Sequence, residues 1–317
     1  MKPMLRYALP LLLGLSAPAL AADLLVRNVH GYTLDNHGQL QRFDAMLVDH
    51  GKVEAIGTLA GLQPKAGHAR VIDGGGHALL PGLIDAHGHV MELGYATVQV
   101  DLTGTRSLDE ALARIKAYAK AHPEAPWIIG GGWNQEIWKL GRFPTAKELD
   151  AVVADRPVWL SRVDGHAAWA NTAAIKLAGV TAATRDPHGG RIERDAHGNP
   201  AGVFVDGATD LVNTKVPEPT PAQRTAALDA ALHEMAKVGL TGVGDPGIDL
   251  ATFRLYRQYA DQHKLTARIY AMIHNTAADF DTISRDGPLI GYGDDFLTVR
   301  AVRKSDRKST RLNSSHT

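Results

Sequence analysis

The sequence predicts an α/β protein in which a small antiparallel β unit precedes parallel strands alternating with helices. Two observations carry that reading. Between Asp23 and about Leu80, short β-type runs (Leu24-Leu25-Val26, Ala45-Met46-Leu47-Val48 and Val53-Glu54-Ala55-Ile56) are separated by Gly and Asn turns, the pattern of a compact antiparallel sheet. Beyond it, well-marked helix starts alternate with short apolar runs, and strands separated by helices join in parallel.

In chain order, residues 1–21 read as a secretory signal. Lys2 and Arg6 form the basic start, Tyr7 to Leu15 the apolar stretch, and Ala19-Leu20-Ala21 a small-x-small cleavage site. Cleavage there exports a mature chain that starts at Ala22, periplasmic or secreted. The apolar run is shorter than the roughly 20 residues of a bilayer span and is broken by Pro10 and Pro18, so no stable membrane anchor is expected.

The β unit occupies residues 22–80. A Gly-rich connector, Asp73-Gly74-Gly75-Gly76-His77, leads into Ala78-Leu79-Leu80-Pro81-Gly82-Leu83-Ile84-Asp85-Ala86-His87-Gly88-His89. It lacks the Gly-Lys-Ser/Thr of a phosphate-binding loop. Ser107-Leu108-Asp109-Glu110 and Thr145-Ala146-Lys147-Glu148 are capping boxes, and Thr220-Pro221 places proline at a first helical position. Residues of about 100–218 form a long insertion in which Gly190 to Arg194, the turn Asp195-Ala196-His197-Gly198 and Ala201 to Val205 read as a β-hairpin. The helix from Pro221 stops at Gly239, ahead of the strand candidate Leu240 to Gly244. A helix from Leu250 to His263 and strands at Ala267 to Ile273 and Phe296 to Val302 follow.

The C-terminal residues are of another kind. Asp306 to His316 match, codon for codon, one reading frame of a common sequencing adapter, and Arg303-Lys304-Ser305 repeats the triplet Arg307-Lys308-Ser309. Residues 303–317 are therefore expected to be an artefactual tail and the gene product a fragment; a natural polar tail is the alternative.

Composition narrows the chemistry. The chain has 317 residues, 34 Lys+Arg against 34 Asp+Glu, 15 His and no Cys. Charge balance supplies no broad field for nucleic acid or an anionic membrane, so neither is an expected partner. Without cysteine there are no disulfides, thiolate zinc sites, iron–sulfur clusters or cysteine nucleophiles. A metal site must use His and carboxylates.

The informative cluster is His87-Gly88-His89, which follows the apolar run. On a strand, residues two apart share a face, so Asp85, His87 and His89 would project together. Two neutral imidazoles can hold one divalent ion, and Asp85 is a candidate acceptor for an imidazole N–H behind it. In isolation the pair reads equally as two solvated or core histidines. Its setting, Pro81-Gly82-Leu83-Ile84-Asp85-Ala86-His87-Gly88-His89 after a small β unit, resembles the first-strand signature of the amidohydrolase superfamily.

The resemblance narrows to the family 3 branch, which includes N-substituted formamide deformylase and many exported hydrolases, and covers essentially all of Asp23 to Val302. It rests on Trp127-Ile128-Ile129-Gly130-Gly131-Gly132-Trp133, Pro144-Thr145 with Leu149-Asp150, Asp155-Arg156-Pro157-Val158, Asp164-Gly165-His166-Ala167 with Asn171, Gly189-Gly190-Arg191-Ile192 and Gly239-Leu240-Thr241. It implies a (β/α)8 barrel with a flanking β-sandwich, present here as the first strands only (residues 81–302, with the α+β insertion). It also implies one or two divalent metals, usually zinc, with His87 and His89 as ligands and metal-bound hydroxide attacking a carbonyl carbon. A lysine ends the family's fourth strand; here Arg303 stands at that point and cannot be carboxylated. The remaining ligands and the aspartate general base are expected beyond Val302.

The family builds its substrate pocket in the insertion, which makes His166 and Asp164 substrate or oxyanion contacts, against a structural His satisfied locally. Trp133 and Trp138 suit an apolar substrate wall, or simply pack the insertion. Asp245 reaches the strand ends or caps the following helix. His188 and His197 read as solvated, and His274 as a weak pocket candidate. The activity implied is hydrolysis of a non-peptide C–N bond in a small amide, formamide or cyclic amide. The alternative is a non-catalytic periplasmic binding or scaffold domain of the same fold.

Overall fold

The computed structural model describes residues 23–274, 277–285 and 287–303. The proposed leader and residues 304–317 of the proposed tail lie outside the described residues. No described helix is long and apolar enough to cross a membrane. The chain divides into two compact units after Gly82.

The first unit is a four-stranded sheet. Strands β1 (Leu24–Leu34), β2 (Leu40–Asp49) and β3 (Lys52–Gly57) form an antiparallel meander; helix α1 (Leu59–Ala66) then carries the chain across so that β4 (Arg70–Leu79) pairs parallel to β1. The sheet is thus mixed, not wholly antiparallel as expected. Helix α1 escapes the sequence pattern because Gly61 and Pro64 lie in it, yet Thr58 caps it by accepting the Gly61 N–H. Its Leu62 and Ala66 close a small core on Leu25, Ala45 and Leu47. The Gly-rich run is a correction too. It lies inside β4, where the pairing skips from Arg27–Asp73 to Val29–His77. Gly75 and Gly76 absorb the extra residues at φ 60° and 74°, a conformation L side chains resist.

The second unit holds two sheets. Strand β5 (Leu83–Asp85) and helix α2 (Val90–Val98) lead into the insertion. There β6 (Val100–Asp101), α3 (Leu108–Ala121), β7 (Ile128–Trp133), α4 (Ala146–Asp150), β8 (Val158–Arg162), β9 (Ala167–Ala170), α5 (Thr172–Leu177), β10 (Gly190–Arg194), β11 (Pro200–Asp206) and α6 (Asp210–Asn213) build a six-stranded mixed sheet ordered β10-β11-β9-β8-β7-β6. The hairpin foreseen at 190–205 is β10 with β11. At α3, Ser107 accepts the Glu110 N–H, but the Glu110 carboxylate turns to the Arg106 N–H, so the foreseen box is one-sided.

Helix α7 (Pro221–Lys237) returns the chain to β12 (Leu240–Ile248), α8 (Leu250–Asp261), β13 (Arg268–His274), α9 (Ala277–Ile283), β14 (Leu289–Gly291) and β15 (Leu297–Arg303). Strands β5, β12, β13 and β15 run parallel in a sheet that β14 edges antiparallel. Residues Ala227, Leu228, Ala231, Leu232 and Met235 form one helical face of α7. That face packs with Val90, Met91 and Tyr256 over Val243, Ile269, Ala271, Leu297 and Val299. Gly94 permits the approach of α2 to α7, since a Cβ there would lie 2.0 Å from the Ala227 carbonyl oxygen. The sheet's opposite face leaves Ile84 76% exposed beside a cavity of about 470 Å³. Strand β15 runs through Arg303, which pairs with His274.

Candidate metal centre

Parallel pairing positions the histidine pair. Asp85 lies opposite Val243 in the β5–β12 register, and β5 ends there. His87 follows in a bend and His89 is the N-cap of α2, so the expected strand alternation of Asp85, His87 and His89 does not occur. The Asp85 Oδ1 accepts the backbone N–H of His87 at 3.0 Å. The carboxylate thus shapes the bend. The Gly88 N–H donates to the Gly244 carbonyl at 2.9 Å, locking the bend onto β12. A Cβ on Gly88 would lie 2.9 Å from Val243 and 3.0 Å from the Asp85 carboxylate.

The two imidazole centroids are 5.4 Å apart with ring planes at 84°. A single ion at about 2.0–2.1 Å from one nitrogen of each ring sets the centroids about 5 Å apart. The spacing suits two imidazoles sharing one divalent ion, for which a ring nitrogen is a ligand. Among the described residues, no group of three or more His, Asp or Glu converges to complete a ligand set.

Beneath the bend sits Asp245, 3% exposed. Burial pushes its carboxyl up to about 6. The Tyr256 hydroxyl, the Val90 backbone N–H and His87 all oppose that rise, whereas Glu92 adds to it. Tyr256 Oη donates to Asp245 Oδ2 at 2.6 Å. Asp245 therefore does not cap α8; Asp249 does, accepting the Thr252 N–H at 2.7 Å. His89, Met91, Tyr95, Arg224 and Asp245 line a cavity of about 240 Å³. Arg224 there is engaged by Glu218 and Asp249, each at 3.3 Å. His274 is exposed at the end of β13, and Arg303 donates from Nη1 to the Pro246 carbonyl at 3.1 Å.

The insertion residues lie on the other sheet. Trp133 is fully buried, donates Nε1–H to the Leu160 carbonyl at 2.7 Å, and packs against Trp138, Phe143 and Trp169. Trp138 is also buried, bonded to Thr105. Both pack the interior of the insertion, in keeping with the second of the two readings that the sequence offered for them. Asp164 pairs with Arg162 and accepts the His166 backbone N–H at 3.0 Å. His166 is exposed, its Nδ1 2.9 Å from Asp206. His188 and His197 are exposed turn residues.

Comparison with known proteins places this arrangement. Residues 70–305 match the amidohydrolase family. The chain is 38% identical over 236 residues to Protein LONG AFTER FAR-RED 3 of Arabidopsis thaliana, covering 74% of this chain and 40% of that protein. It is 31% identical over 274 residues to the putative amidohydrolase YtcJ of Bacillus subtilis (83% and 51%). To N-substituted formamide deformylase of Arthrobacter pascens it is 32% identical over 243 residues (74% and 44%). The chain thus spans about half, or less, of the length of these relatives. In fold it resembles an uncharacterized metal-dependent hydrolase from Pyrococcus horikoshii, at TM-score 0.67 and 24% identity over 88% of this chain and 53% of that one. A histidine bend locked to the second of four parallel strands sits within that matched stretch, and the chain belongs to the amidohydrolase superfamily, in its family 3 branch.

Proposed function

We propose that this chain is the N-terminal part of an exported, zinc-dependent amidohydrolase that cleaves a non-peptide C–N bond in a small amide, formamide or cyclic amide. The observation that carries the reading is the His87–His89 pair, with centroids 5.4 Å apart on a bend fixed by Gly88. The name of the Arthrobacter relative, a formamide deformylase, supports the bond class. Half-length coverage of the relatives supports the view that further ligands and the general base belong to a longer protein.

His87 and His89 would hold the ion. When bound, zinc supplies Lewis acidity that polarises the scissile carbonyl and makes water acidic enough to attack near neutral pH. The chain's own contribution is positional. Gly88 lets the bend lie close against β12, and the adjacent cavity, lined by Glu92, Asp245, Asp249 and Thr252 as well as Met91 and Ile248, offers a mainly polar wall to a small substrate. Arg224, neutralised by two carboxylates, is not free to bind an anionic one.

Three experiments test the reading. Zinc content is measured on the 317-residue chain and on a His87→Ala, His89→Ala variant; equal content in both defeats the metal assignment. Turnover of formamides and N-acyl amides is compared between residues 22–317 and the full-length gene. Full turnover by the shorter chain refutes the fragment reading. Intact-mass analysis of exported protein, expected to start at Ala22, tests the leader.

A further inference from the structure

Left-handed backbone at a residue other than glycine persists only where its surroundings over-determine it, and the residues that keep it cluster at functional sites. Asp206, the last residue of β11, is one, at φ 47° and ψ −124°. Its N–H donates to the His166 carbonyl at 2.7 Å, and its own carbonyl accepts the Thr209 hydroxyl at 2.7 Å. It is the N-cap of the single turn Gly207–Thr209, yet its side chain makes no capping hydrogen bond. A glycine would adopt this backbone freely. What the aspartate adds is a carboxylate, and that carboxylate meets His166, whose Nδ1 lies 2.9 Å from Oδ1.

The contact fixes the chemistry of the imidazole. A carboxylate only accepts, so Nδ1 carries the proton and, in the neutral ring, Nε2 is left with its lone pair. Among the described residues Nε2 has no hydrogen-bond partner, and the side chain is 49% exposed. The residue is also held from the other side. Asp164 Oδ1 accepts the His166 backbone N–H at 3.0 Å, Asp164 is paired with Arg162, and Arg162 Nε donates to the buried Gln135 at 2.9 Å.

Topology gathers these groups on one rim. Strands β6, β7, β8 and β11 run in one direction, with β9 and β10 against them. Arg162 and Asp206 end β8 and β11, and Gln135 lies just past the end of β7. Open α/β sheets take their ligands at the carboxyl ends of their parallel strands. Here the Arg162 charge is answered by Asp164, so Asp206 leaves the rim acidic around one bare ring nitrogen. That combination suits a neutral or cationic N–H donor.

We propose that Asp206 is the positioning residue of His166 and holds it as a hydrogen-bond acceptor for an N–H of the substrate. The inference rests on the proposed function, and it narrows the substrate to amides that keep at least one N–H. The alternative of an oxyanion contact falls away, because a bare Nε2 has no hydrogen to give.

The test has two arms. The first uses the 317-residue chain without metal or substrate, at about pH 8, where an ordinary imidazole is neutral, and reads the tautomer of His166 from the 15N shifts of its ring nitrogens. Wild type is expected to carry the proton on Nδ1. In Asp206→Gly, which suits the backbone, the proton is expected to move to Nε2. Asp206→Asn tolerates the same backbone and can donate to Nδ1, so it should release the proton to Nε2 in part and keeps the question decidable if Asp206→Gly does not fold. A proton on Nε2 in wild type, or one that stays on Nδ1 in both folded variants, overturns the proposal.

The second arm uses the full-length protein and compares kcat/KM for an N-monosubstituted and an N,N-disubstituted formamide in wild type and His166→Ala. One hydrogen bond is worth about five- to tenfold, so the preference for the N–H substrate is expected to fall by about that factor. An unchanged preference overturns the proposal even where the tautomer is as expected. Inactivity of wild type on both substrates refutes the proposed function and with it the assigned ligand, while the first arm still decides whether Asp206 orients the ring.

Discussion

The side-chain oxygen of Asn171 accepts the backbone N–H of Val158 at 3.0 Å, tying the start of α5 to the start of β8. The same oxygen accepts the Ala174 N–H as the helix cap, and Nδ2 donates to the Val153 and Arg156 carbonyls at 3.0 and 2.9 Å. All four hydrogen-bonding positions of a fully buried amide are used.

Asn171→Ala is expected to destabilise the second unit by about 3 kcal/mol or more, because buried backbone groups would be left without partners. Asn171→Asp should be comparably harmful, since a carboxylate cannot donate to the two carbonyls. Urea denaturation of both variants checks this; losses under about 1 kcal/mol would show that the network relaxes freely.

Asp245 makes stability depend on pH in a definite direction. Its folded value of about 6 exceeds the ordinary 3.8, so the folded state holds this proton more tightly than the unfolded one. The resulting stabilisation is complete below 3.8 and is lost as pH rises through about 6. Its upper bound is about 3 kcal/mol, at about 1.4 kcal/mol for each tenfold difference in proton affinity between the two states. Metal-free Asp245→Asn should lack this decline. Paired denaturation curves at about pH 4.5 and about pH 7.5, either side of the folded value, measure it, and parallel curves in wild type and variant would contradict it.

Trp133→Ala should behave as a folding lesion of the insertion, costing about 3–5 kcal/mol, whereas Trp133→Phe removes mainly the hydrogen bond to Leu160 and costs about 1 kcal/mol. Thermal melts rank the two. A Trp133→Ala chain of unaltered stability would return the residue to a pocket role.

Gly88→Ala is expected to weaken metal uptake while leaving the rest of the sheet folded, since the new methyl meets Val243 and Asp85 at once. Zinc titration with a circular dichroism control decides it. Wild-type affinity would show that the bend tolerates displacement.

Local chemistry was legible wherever it needed no distant partner. Ser107, Thr145 and Thr220 announce their helices: the Glu148 carboxylate accepts the Thr145 N–H and Thr220 shares a full box with Gln223, whereas the Ser107 box is one-sided. The His-Gly-His pair stands out through its setting, Pro81 to His89 directly after a small β unit, rather than by itself. Strand limits were harder to read, being decided by pairing. Strand β5 stops at Asp85 where β12 ceases to pair with it. Strand β12 runs on through Pro246 to Ile248 alongside β13. That extension buries Asp245 and hands the capping of α8 to Asp249. Trp133 stayed open between two readings for a similar reason, since nothing local separates an aromatic that lines a pocket from one that fills a core.

Among the described residues strand β5 pairs on one side only, with β12, and its Leu83 and Ile84 side chains are 60% and 76% exposed. A bare, greasy edge of this kind is adhesive toward any extended peptide. The solution behaviour of the chain should accordingly be governed by its concentration, with a dilute monomer giving way to strand-to-strand association.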